Sequence, residues 1–166
     1  MSRSRQALGM MALAICLSVS ACGFQPLYGT SPSGSNVSTE LSAVAIDEQD
    51  TRLGQLIRND LLSTMSGAGA TRYRLQLMAL DGTKTMIEND NEDTRRFNYR
   101  VNVAYRLIDR QTGQELNSGK TFSQVSYDRT TSDFSNVQAE TNAMERAAKE
   151  VGNDIRTRLA AYFAAS

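Results

Sequence analysis

The chain has 166 residues, 18 of them basic and 18 acidic, with no histidine, no tryptophan and two cysteines, at positions 16 and 22. The lack of histidine excludes Ser-His-Asp, Cys-His and HExxH chemistry, and removes both the commonest metal ligand and the usual general base at neutral pH. A formal charge of zero argues against a nucleic-acid binder, and the length suits one domain of ordinary size.

Arg3 and Arg5 form a positive leader, and Ala7 to Val19 make an apolar run shorter than the ~20 residues needed to cross a bilayer. This is the layout of a signal peptide over residues 1–21. Its end, Val19-Ser20-Ala21-Cys22, resembles the lipobox of bacterial lipoproteins. That resemblance implies cleavage before Cys22, a diacylglycerol on its sulfur and a further acyl chain on its nitrogen. Several chains hold firmly where one binds marginally. Removing residues 1–21 takes Arg3, Arg5 and Cys16 and no acid, leaving 16 basic against 18 acidic residues and no second cysteine for a disulfide. Gly23 stands where an aspartate would, in enteric lipoproteins, favour inner-membrane retention. By that resemblance the expected address is the periplasmic face of an outer membrane.

Residues 22–38 read as a lipidated start and a flexible tether, since GTSPSGSNVS cannot pack a core. Phe24, Pro26, Leu27 and Tyr28 suit either the lipid headgroups or a partner's surface, and both readings stay open. A single domain is expected over 39–166. ELSAVAID, 40–47, alternates loosely and suggests a short strand. Leu53, Leu56, Ile57, Leu61 and Met65 then recur at helical spacing behind a cap at Asp50 or Thr51, with Gly67-Ala68-Gly69 as the stop.

In TRYRLQL, Tyr73, Leu75 and Leu77 share one side of a strand. Asp81-Gly82 is either a hairpin turn or a bulge inside a strand that continues through Ile87. The bulge is preferred, because ENDNED, 88–93, makes the better turn. FNYRVNVAYRLI, 97–108, is the clearest strand, with Phe97, Tyr99, Val101, Val103, Tyr105 and Leu107 on one face. Asp109 to Gly113 turns the chain into a last strand over 115–127, in which Phe122 and Val125 cannot share a face without a bulge. Ser135 and Gln138 form a capping-box pattern opening a final helix, with Val137, Met144, Ala148, Val151, Ile155, Leu159 and Tyr162 in one stripe. Glu145–Lys149 and Asp154–Arg158 are favourable pairs on its wet side, and Gly152 inside it costs up to about 1 kcal/mol against alanine. The expected fold is α+β: a four-stranded, largely antiparallel sheet in the order β-α-β-β-β-α, with two helices packed on one face.

The lipobox running into CGFQPLYG (22–29), this order of elements, and the ending ERAAKEVGNDIRTRLAAYF (145–163) resemble the LptE family of lipopolysaccharide-assembly lipoproteins in its alphaproteobacterial form. The resemblance implies a protein without catalytic steps that sits as a plug in the LptD β-barrel, helps it assemble and binds lipopolysaccharide on its way to the outer leaflet. Cofactors and metals are not expected. Arg72 and Arg74, with Arg96, Arg100 and Arg106 on the neighbouring strand, fall by parity on the uncovered side, with no acid among them in sequence. Arginine forks suit phosphate oxygens. This face is expected to meet lipopolysaccharide or an acidic stretch of the barrel, against the alternative of a strand face kept charged to prevent aggregation. The competing function is an auxiliary lipoprotein of an ABC-type lipid transporter. An enzyme is disfavoured: no nucleophile elbow or SxxK stands out, and Asp81, Asp90 and Asp93 read as turn residues.

Overall fold

The structure is a computed structural model that describes residues 37–65, 71–87 and 95–166. The signal, Cys22, the segment Phe24 to Tyr28, the Gly67-Ala68-Gly69 stop and the 88–93 turn lie outside these residues. In chain order the elements are α1 (Val37–Ser42), β1 (Val44–Ile46), α2 (Arg52–Met65), β2 (Tyr73–Ile87), β3 (Arg95–Asp109), β4 (Glu115–Arg129) and α3 (Asp133–Ala165). The sheet runs β1-β2-β3-β4. β1 pairs with β2 in parallel, because α2 carries the chain back across the sheet between them, and the other pairs are antiparallel. The α+β class, the four strands and the two long helices on one face stand as expected.

The expected strand over 40–47 is a correction. Val37 and Leu41, four residues apart, are both buried, and Ser42 Oγ donates to the Thr39 carbonyl, so this stretch closes a short helix. Only Val44–Ile46 is left as strand. Val37 and Ser38, expected in the tether, open that helix, and Val37 is 1% exposed. Buried Tyr73 ties α1 to β2: its hydroxyl donates to Glu40 Oε2 at 2.8 Å. Burial, reinforced by that carboxylate, pushes the Tyr73 phenol up to about 12.

Thr51 caps α2, its Oγ1 accepting from the Gly54 amide at 3.1 Å, and Leu53, Ile57, Leu61 and Met65 face the core. β2 is one long strand with a bulge: the register passes from Leu80 opposite Asn102 to Thr83 opposite Arg100, one residue too many on β2. The ring of buried Tyr99 occupies the space a Cβ at Gly82 would need, so the kink requires glycine there. β4 carries no register break at Phe122. Thr121, Ser123, Val125 and Tyr127 are buried, and Phe122 points outward at 60% exposure. The alternation was obscured because the core side of β4 is partly polar. Ser123 satisfies its hydroxyl by donating to Glu150 of α3.

Two features of α3 are corrected. Its N-cap is Ser132, whose side chain accepts from the Ser135 amide at 3.4 Å, so the helix begins ahead of the predicted capping box. Val137 is 65% exposed, while Asn136, Ala143, Ala147, Val151, Ile155 and Leu159 are buried. Val137 stands eighteen residues, or five full turns, before buried Ile155 and so shares its angle around the helix; its exposure goes with its place in the first turns of α3. The Asp154–Arg158 pair forms at 2.8 Å, and Glu145–Lys149 is not among the ion pairs of the described residues. Gly152 lies where α3 crosses α2, and a Cβ there would press on Asp60.

Candidate functional site

Helices cover one face of the sheet and leave the other open. Strand parity sends Arg74, Gln76, Met78 and Leu80 of β2 to the open side, with Arg96, Arg100, Asn102, Ala104 and Arg106 of β3 and Lys120, Phe122 and Asp128 of β4. Four of the five sequence-predicted arginines are there. Arg72 is not: its guanidinium lies 5.1 Å over the Tyr73 ring, with Nε 3.8 Å from Asp109 Oδ2, at one end of the helix-covered side.

The expectation of a basic face without acids does not hold in space. Arg74 Nε donates to Asp47 at 2.7 Å, Arg96 Nε to Asp128 at 2.9 Å, and Arg106 stands 3.7 Å from Glu115 while donating to Gln76 at 3.1 Å. The hydrogen bond from Arg96 holds the Asp128 carboxyl below its usual range. Asp47, Glu115 and Asp128 come from a loop after β1 and from both ends of β4, so linear inspection of β2 and β3 could not find them. Arg100 is different. Its guanidinium stacks 4.5 Å from the Phe122 ring centroid, and it makes no ion pair among the described residues.

Sequence reasoning missed the apolar centre of this face. Met78, Leu80 and Phe122 are 63%, 65% and 60% exposed and sit together around Ala104. A recess of about 270 Å³ runs between them, with Lys120 at its side. It adjoins a wider one of about 700 Å³ floored by Met78 and Ala104 and walled by Asp47, Glu48 and Arg106. The signal was available: Met78 and Leu80 have the opposite parity to Tyr73, Leu75 and Leu77.

A second missed feature lies at the far end of the long strands. Arg95 and Arg129 are directly opposed across β3 and β4, an arrangement that like charges disfavour. Neither makes an ion pair among the described residues. Arg129 lies 5.3 Å over Phe97, which stacks on Tyr127 at 5.9 Å. With Thr130, Asp133 and Asn136 they line a recess of about 350 Å³. Asn136 fixes the turn beneath it, accepting from the Thr130 amide at 2.8 Å and donating to the Thr130 carbonyl at 2.9 Å. Phe134, 81% exposed, and Val137 project from the first turns of α3 at the same end. Arginines next to exposed apolar side chains suit a ligand with phosphates and hydrocarbon together.

Over residues 39–159 the chain matches the family model LptE, described as lipopolysaccharide-assembly. The chain belongs to the LptE family. Solved structures agree with the membership. A Caulobacter crescentus protein assigned as a lipoprotein superposes with a TM-score of 0.67 at 26% identity, covering 78% of this chain and 97% of its own. A minor lipoprotein of Acinetobacter baumannii shares the fold at a TM-score of 0.51 and 15% identity, covering 71% of this chain and 90% of its own. No curated protein matches the chain by sequence. Among the described residues, no cluster of three or more acidic, histidine or cysteine side chains could hold a metal ion, and no helix is long and apolar enough to cross a membrane.

Proposed function

We propose that this LptE-family chain is a lipid-anchored protein of the outer membrane's periplasmic face. In this reading it assembles as a plug with an LptD-type β-barrel and binds lipopolysaccharide during insertion into the outer leaflet. Its work is binding and scaffolding, without a catalytic step. Cys22 carries the anchor, and residues 22–36 link it to the folded body, whose first described residue is Val37.

One observation supports lipopolysaccharide as ligand above the rest: the Arg95–Arg129 pair. Arg95 and Arg129 set two like charges opposite each other across the ladder, a repulsion that no ion pair among the described residues relieves, although Asp133 lines the same recess. A bound phosphate would remove that repulsion and accept charge-assisted hydrogen bonds from both, while exposed Phe134 and Val137 lie where acyl chains would leave the head group. Of the arginines predicted from sequence, Arg74, Arg96 and Arg106 have carboxylates of their own, which weakens them as phosphate ligands; Arg100 does not.

The test is lipopolysaccharide binding by the purified, lipidated protein with Arg95 and Arg129 both changed to glutamate. Each lost charge-assisted hydrogen bond is worth about 1.5–3 kcal/mol, so affinity should fall by about tenfold or more per arginine. Equal affinity in the variant would refute the site. Two further outcomes bear on the whole reading: Cys22→Ser should release the protein from membranes, and the detergent-solubilised wild type should bring down a large outer-membrane barrel. Recovery of an inner-membrane transporter complex instead would favour the ABC-type alternative.

A further inference from the structure

We propose that the open face of the sheet is the surface that docks on the barrel partner, with Met78, Leu80 and Phe122 as its apolar centre and Arg100 and Lys120 as cations seeking carboxylates on that partner. The inference rests on the partnership proposed above and adds which surface of this chain makes it.

Three aspects of the face carry the argument. Its exposed apolar side chains stand midway along the long strands, Met78 and Leu80 on β2 and Phe122 on β4, on either side of Ala104 of β3, each 60–65% exposed. Around them the ion pairs Arg74–Asp47, Arg96–Asp128 and Arg106–Glu115 are already closed within the molecule. An apolar centre within a polar rim that can stay solvated is the anatomy of a protein–protein contact, where a few well-buried anchors dominate binding and the surround excludes water. A self-neutralised rim demands no counter-charge from the partner.

The charges left over define the partner's chemistry. Among the described residues, Arg100 and Lys120 alone of the cations beside the apolar centre make no ion pair. Arg100 is held over Phe122, so its position is fixed before binding. Ala104 opposes Lys120 and Arg100 opposes Gln124, so the backbones that carry the two cations are four residues apart along the strands, about 13 Å, and the Arg100 guanidinium leans over Phe122 toward Lys120. A complementary surface presents apolar side chains with carboxylates beside them to meet these two cations. A second copy of this chain does not, since its own open face would bring the same two cations. Beyond its first turns, where Phe134 and Val137 are exposed beside the Arg95–Arg129 recess, the outward side of α3 offers no rival patch, because Glu145, Lys149, Asn153 and Arg158 are exposed and polar.

The experiment uses the full lipidated chain in cells, with a photo-crosslinking residue at position 80 or 122 and, as controls, at 145 or 153. A companion variant, Leu80→Glu with Phe122→Glu, changes two exposed side chains and is assayed for barrel recovery and for lipopolysaccharide binding. The expected result is cross-links to the barrel from 80 and 122 only, at least a tenfold drop in barrel recovered with the double variant, and unchanged lipopolysaccharide affinity. If the wild type recovers the barrel but cross-links to it form only from 145 and 153, or the double variant recovers as much, this surface is wrong and the partnership stands. Cross-links from 80 or 122 to lipopolysaccharide or to a second copy would likewise overturn it. If the wild type recovers no barrel, the partnership itself fails and takes this inference with it.

Discussion

The two faces of the sheet are built from the same three long strands and differ in nearly every other respect. On the helix side Leu75, Val101, Val103, Tyr105 and Leu107 are at most 3% exposed, and the polar groups there are few and mostly bonded, as Ser123 is to Glu150. On the open side Met78, Leu80 and Phe122 are apolar and exposed, and charged groups pair across strands. The buried core therefore lies on one face, and the other is left with apolar side chains that nothing in the described residues covers. A residue's alternation along a strand says which face it joins, but not whether an apolar residue there supports the fold or awaits a partner.

Mutations that separate stability from recognition test that division most directly. Leu107→Ala removes a fully buried side chain and should cost about 2–5 kcal/mol in urea unfolding. Leu80→Ala, on the opposite face, should stay within about 0.5 kcal/mol. If Leu80→Ala cost as much as Leu107→Ala, the open face would be part of the core of the isolated protein.

The helix cover can be loosened without touching either face. Gly152→Ala gains helix propensity, yet its Cβ would press on Asp60 where α3 crosses α2. Overpacking should win, for a net loss of about 1–2 kcal/mol by the same unfolding assay. Adding Asp60→Ala should restore most of the loss, since it removes the carboxylate that the new Cβ meets and keeps a good helix former in α2.

Acid titration separates groups of opposite sign. Backbone amides of Thr112 and Gln111 donate to Asp109 and hold its carboxyl low. A lowered carboxyl stabilises the fold above the unfolded carboxylate range, near 3.9, and that contribution is lost as pH falls through the folded value. Asp109→Asn should therefore lower Tm at pH 7 by more than it does at pH 2. Asp60 is raised, chiefly by burial, so its contribution is present below the same range and lost as pH rises through its folded value. Asp60→Asn should raise Tm at pH 7 relative to pH 2.

The smallest effect is expected at the rim. Arg96 and Asp128 are half exposed, and solvent screens such pairs. Arg96→Ala should leave the unfolding midpoint unchanged within error in 0.15 M salt, and a clear loss of stability would mean that the rim braces the sheet.

What could be read without coordinates was whatever repeats at short range. Helical spacing marked Leu53 to Met65, strict alternation marked Phe97 to Leu107, and the Asp81-Gly82 pair within a long strand gave the bulge. The failures came where two local patterns competed over few residues, as at 40–47, or where polar side chains such as Thr121 and Ser123 occupied core positions.

The amino-acid order by itself determined the α+β class, the long strands, the family resemblance and the exclusion of histidine chemistry, because periodicity and residue inventory are properties of the chain. Only the tertiary structure decided which cations find carboxylates among the described residues. Asp47, Glu115 and Asp128 neutralise arginines that lie 9 to 32 positions away in the chain, whereas Arg95 and Arg129 are brought into mutual repulsion. Partnership between charges depends on distance in space, and strand pairing sets that distance independently of separation along the chain.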